Sequence, residues 1–116
     1  MFTTLTQVAL GGAIGSVLRF LAITAIGAPF ATALVNIVGS FLMGVLFITL
    51  SKTTLSPLLM TGVLGGFTTF SAFSLDTLKL WQSGQISQAA VYTAASVTLS
   101  LIAVALGAAL AKGTLT

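Results

Sequence analysis

Four long apolar runs, separated by short polar or turn-forming stretches, set the rhythm of the chain. The first covers about residues 4–26 and stops at Gly27-Ala28-Pro29. The second covers about 30–50, with Pro29 placed to open it, since proline is well tolerated in a first helical turn. Ser51-Lys52-Thr53-Thr54 interrupts the pattern, and Ser56-Pro57 reads as the N-cap and first-turn pair of a third run, about 56–81. Gln82-Ser83-Gly84-Gln85 separates it from a fourth, about 87–111. Crossing a bilayer takes about 20 apolar residues, and each run is long enough. The pattern predicts an all-α integral membrane protein: four transmembrane helices in a single domain over residues 1–116. The first run is too long for a signal-peptide core and has no small-residue cleavage site after it, so it reads as a retained helix.

The third run is unusual in its middle. Gly62, Gly65 and Gly66 precede Phe67-Thr68-Thr69-Phe70-Ser71-Ala72-Phe73-Ser74. Adjacent glycines before a β-branched pair are poor helix formers, which predicts an interruption near 65–69. Such a break at membrane depth is tolerated only where the freed backbone groups are buried in protein or line a cavity. Close helix packing on glycine is the plainer alternative.

Polar residues on the other runs recur at helical spacing. Thr32, Asn36 and Ser40 share one face of the second run, and Tyr92, Ser96 and Ser100 one face of the fourth. Gly11 and Gly15 make a small-xxx-small pattern on the first. Single Ser or Thr residues in membrane helices often bond only to backbone. Asn36 is harder to set aside, because an amide in hydrocarbon needs partners for two donors and two acceptors.

Composition sharpens the picture. Hydrophobic residues make up 57% of the chain and charged ones 4%, too few to give a soluble domain a polar surface. The charges are Arg19, Lys52, Asp76, Lys79 and Lys112. With no basic cluster among them, nucleic acid is not an expected partner; lipid is. No Cys or His is present, so disulfides and the usual transition-metal ligand sets are excluded. With four spans, Lys52 and Lys112 fall on one side and Lys79, with Arg19 more loosely, on the other. That balance gives no positive-inside bias and is compatible with insertion in both orientations and an antiparallel dimer. Arg19 reads either as a charge at a vestibule or as a side chain snorkelling to the interface. Asp76 reads as a partner for Lys79, three residues on.

The stripes hold no carboxylate, whereas hydroxyls, an amide and a phenol all donate hydrogen bonds. Phenyl ring edges carry partial positive charge. Phe70 and Phe73, three residues apart, add such edges beside Ser71 and Ser74. A narrow path of this kind suits a small anion, bound firmly enough to lose water and weakly enough to leave.

Gly11-Gly12-Ala13-Ile14-Gly15 with Arg19, Asn36 within Asn-Ile-Val-Gly-Ser-Phe, and the stretch from Gly65 to Ser74 together resemble the Fluc/CrcB family of fluoride channels. The resemblance covers essentially the whole chain; Asp76 stands where glutamate is more often expected. It implies an antiparallel, dual-topology homodimer with two fluoride pores along the subunit interface. It also implies a structural sodium ion at that interface, held by the Gly65 and Thr68 carbonyls. Phe70 and Phe73 match the ring pair of the fluoride path, Asn36 the polar residue beside them, and Thr32, Tyr92, Ser96 and Ser100 further pore-facing positions. The implied function is passive fluoride export across the inner (cytoplasmic) membrane, not enzymatic catalysis. A small proton-coupled exporter is the chief alternative, and it needs a titratable carboxylate in mid-membrane. A purely structural subunit, whose polar stripes serve packing alone, is the other.

Overall fold

In a computed structural model the described residues, 1–115, form helices joined by short turns, with no strand among them. Helix α1 is Phe2–Ile26 and α2 is Phe30–Thr49. The third span begins as a π-wound segment, Pro57–Leu64, runs on as one α-turn, α3 (Gly65–Phe67), and resumes as α4 (Phe70–Gln82). Helix α5 is Ile86–Leu115. Four of these spans are long and apolar enough to cross a membrane. Gly27 and Gly84, at φ +94° and +84°, supply the left-handed backbone at the turns before α2 and α5.

The spans pack on one another through glycine. A Cβ on Gly11 would strike the Leu58 carbonyl and Gly62, and one on Gly15 the Val63 carbonyl. A Cβ on Gly66 would in turn meet the backbone of Gly12 and Ser16. Helix α1 therefore lies backbone against backbone on the first half of the third span. Gly44 and Gly107 do the same for α2 and α5, against Val104 and Phe41. Beyond the break, α4 leaves α1 and packs on α5. The interruption lets one span change partners halfway.

The inside is small and the outside apolar. Buried apolar residues include Ala31, Val35, Leu64, Phe73, Ala89 and Ala103, while Phe20, Leu21, Val91 and Leu101 point outward. That distribution inverts a soluble domain and suits lipid as solvent, where van der Waals packing of small residues holds helices together.

Two local expectations need correction. Ser56 stands at the N-cap position with Pro57 in the first turn, as expected, but it has helical backbone angles and makes no side-chain cap; its hydroxyl lies 3.5 Å from the Met60 sulfur. The helical winding has already begun there, and the hydroxyl turns along the helix rather than back onto its first N–H groups. Helix α5 continues past residue 111, with Lys112 in its last turn, where a cation suits the carbonyl end of a helix.

Candidate functional site

The break in the third span is built by side chains from two other helices. Thr68 and Thr69 are extended, with ψ of 156° and 123°. Asn36 on α2 closes the gap as a peptide surrogate: its Nδ2 donates to the Thr69 carbonyl at 2.9 Å, and its Oδ1 accepts from the Thr69 N–H at 2.7 Å. The Thr69 hydroxyl accepts from the Ala72 N–H at 3.1 Å and so caps α4. On the other side of the break, Thr68 bonds back to the Leu64 carbonyl through both its N–H and its hydroxyl, each at 3.0 Å.

This arrangement redirects two N–H groups. In an unbroken helix Thr69 N–H would point at the Gly65 carbonyl and Ala72 N–H at the Thr68 carbonyl. Both are used elsewhere, by Asn36 and by Thr69 itself. The Gly66 carbonyl, between them, accepts from Arg19 Nε at 3.0 Å. Arg19, expected either at a vestibule or reaching the interface, has its Nε anchored on the third span. It is part-buried and bound to the break, which answers the need of a membrane-embedded cation for a partner.

Beside the break lies a groove of about 390 Å³ between α2, α4 and α5. Asn36, Ser40, Thr68, Phe70, Phe73, Ser96 and Ser100 line it, with Gly39, Met43 and Val104 among its apolar parts. No charged side chain contributes to this wall. The absence of a Cβ on Gly39 leaves room for the Thr68 methyl. Phe73 is 8% exposed and Phe70 78%, their ring centroids 5.6 Å apart and tilted by 59°. The pair runs from the protein interior to its open flank. The Ser96 hydroxyl is buried and has no hydrogen-bond partner.

Five of the seven residues expected along the path meet here: Asn36, Phe70, Phe73, Ser96 and Ser100. Thr32 and Tyr92 do not line this groove. Thr32 is 1% exposed, its hydroxyl without a partner, one helical turn before Asn36. Tyr92 stacks obliquely on Phe73, centroids 5.4 Å apart, and donates its hydroxyl to Asp76 Oδ2 at 3.2 Å. Asp76 is 8% exposed. Its observed partner is Tyr92, not the expected Lys79, which occupies the last turn of α4 and complements that helix end. The expected sodium ligands Gly65 and Thr68 stand at the break, and Thr68 also reaches the groove wall.

Three roles escape sequence reasoning. Asn36 bridges the break, a role that a polar stripe alone does not reveal. Thr69 caps α4, for which Thr before an apolar run was an available sign. Asp76 joins Tyr92 across 16 positions, and no local spacing signals that.

A polytopic helical membrane protein with an uncharged, hydroxyl- and ring-lined groove at a helix break is the class these features define. The comparisons place it further. The family model described as "CrcB-like protein, Camphor Resistance (CrcB)" matches residues 6–108. A protein of Cereibacter sphaeroides named "Fluoride-specific ion channel FluC" is 49% identical, over 97% of this chain and 98% of its own. Namesakes from a Ruegeria species and Paracoccus denitrificans are 49% and 48% identical, covering 100% and 95% of both chains. The chain belongs to the CrcB family, a family of channels and not of enzymes.

Proposed function

We propose that this protein is a fluoride channel that passes the anion passively out of the cytoplasm across the inner membrane. The observation that carries the reading is the groove: hydroxyls, an amide and phenyl rings, with no charged side chain in its wall. An anion there meets donors and positive ring edges but no fixed charge to trap it. The names of the relatives at about half identity supply the ion.

Export needs no coupling. A negative-inside potential drives an anion outward with about 2.3 kcal/mol per 100 mV, roughly fortyfold in concentration at tenfold per 1.4 kcal/mol.

The groove lies open on a flank and Phe70 is largely exposed. A second copy, antiparallel to the first, would complete the wall and give two pores per dimer. With Arg19 bound at the break, loop charges reduce to Lys52 and Lys112 against Lys79. One lysine of difference is a weak bias, which supports insertion in both orientations. Carbonyls freed by a helix break are suitable ligands for a hard cation, and those of Gly65 and Thr68 have lost their helical donors. Two from each subunit would hold a structural sodium ion at the interface, contributing rigidity and fixed positive charge.

The buried Asp76 favours one other reading, a proton-coupled exporter. Reconstitution decides between them. Liposomes loaded with fluoride or chloride and clamped by a potassium diffusion potential should release fluoride rapidly and chloride scarcely, with no pH gradient required. Release of neither ion without a pH gradient would favour the exporter.

A further inference from the structure

We infer that Arg19 is a positioning residue for the cation site proposed above, on which this inference rests: its Nε–H holds the Gly66 carbonyl and thereby fixes the Gly65 and Thr68 carbonyls on either side. The π-wound segment and α3 end inside the membrane, at Phe67, where unpaired carbonyls and the negative end of the helix dipole collect. A remote side chain answers both. Arg19 comes from a helix 47 positions away, and it bonds to a backbone carbonyl, while the chain's single acidic side chain bonds to Tyr92.

The face of α1 that carries Arg19 is already seated on Gly66. The Gly12 carbonyl and the Ser16 N–H lie where a Cβ on Gly66 would be, and Arg19 follows Ser16 on the same face. Position 19 is thus carried to the break by the backbone packing of the turns before it, and the bond to Gly66 needs little ordering of the arginine beyond its own rotamer. Asn36 occupies the Thr69 carbonyl from the opposite helix. Between these two clamps, the Gly66 and Thr69 carbonyls are engaged, and those of Gly65 and Thr68 keep their lone pairs for a ligand.

The bond and the charge act in opposite directions on a nearby cation. The bond orders the ligating backbone and strengthens binding; the guanidinium charge repels the ion and weakens it. Glutamine separates them, because its Nε2 lies the same number of bonds from Cα as arginine Nε, with N–H groups and no charge. Methionine keeps similar length and removes both.

The test is the sodium dependence of thermal unfolding of purified full-length protein in detergent, with potassium replacing sodium at constant ionic strength. Stabilisation by a bound ion grows as RT ln(1 + c/Kd) with sodium concentration c, so the concentration at which the rise sets in, the sodium midpoint, reports affinity. Arg19→Gln should keep the sodium midpoint at or below that of the unaltered protein. Arg19→Met should raise it about tenfold, the worth of one charge-assisted hydrogen bond less the relief from the lost charge. An unchanged or lowered midpoint in Arg19→Met, or a rise in Arg19→Gln as large as in Arg19→Met, would overturn the role. Should Arg19→Met fail to fold, Arg19→Gln decides alone: a midpoint at or below the unaltered one supports the role, and a raised one refutes it. No sodium response in the unaltered protein would remove the cation site itself, a failure distinct from that of Arg19.

Discussion

Hydrocarbon offers no hydrogen bonds, so the value of a single polar residue here depends on the backbone groups it satisfies. Asn36 serves the two otherwise unpaired sides of Thr69. Asn36→Ala should lower stability by about 1–3 kcal/mol, read as a fall in the detergent melting temperature, and should abolish flux because the groove wall shifts with Thr68 and Thr69. A melting temperature unchanged by the substitution would show that the break holds itself. The two phenylalanines should separate stability from conduction. Phe73 is buried between Phe70 and Tyr92, so Phe73→Ile should cost both stability, about 1–2 kcal/mol, and flux. Phe70 is largely exposed in the single chain, so Phe70→Ile should reduce flux at least tenfold while melting alters little. Equal flux in both variants and the unaltered protein would remove ring edges from the path.

Elements are held by glycine contacts whose asymmetry along α1 is testable. A Cβ at Gly15 meets the Val63 backbone, whereas one at Gly12 meets nothing within 4 Å. Gly15→Ala should destabilise by about 1–3 kcal/mol through overpacking, and Gly12→Ala should stay within about 0.5 kcal/mol of neutral; equal melting temperatures for the two would contradict the packing described. The long apolar runs made the spans legible in the sequence, because bilayer thickness leaves few ways to arrange them. Gly65-Gly66 with Thr68-Thr69 marked the break for a similar reason, since such residues sustain a helix poorly. What stayed hidden was non-local. The π-winding of Pro57–Leu64 has no composition of its own. The partners of Arg19, Asn36 and Asp76 lie 47, 33 and 16 positions away. Spacing along one helix identified a shared face for Thr32, Asn36 and Ser40, yet Asn36 and Ser40 reach the groove and Thr32 does not, which depends on where α4 and α5 pack against that face.

For the molecule as a whole, the proposed antiparallel pairing would link the weak charge bias to the open-flanked groove: a chain inserting both ways would supply its own partner. Lys79→Gln leaves Lys52 and Lys112 unopposed and should shift insertion toward a single orientation. The chain has no native cysteine, so one placed at a loop reports orientation by labelling from either side. Two-sided labelling of the unaltered protein, and one-sided labelling with loss of flux in Lys79→Gln, is the expected result. One-sided labelling of the unaltered protein would exclude dual topology.

The central claim is that an uncharged groove conducts fluoride without coupling, and a reversal potential tests it most directly. In planar bilayers holding the purified protein, with fluoride graded across the membrane and chloride balancing it, the current should reverse near the fluoride equilibrium potential. It should move by roughly 59 mV per tenfold gradient of this monovalent ion and ignore an imposed pH difference. A reversal potential that follows chloride, or that shifts with pH at fixed fluoride, would contradict the account.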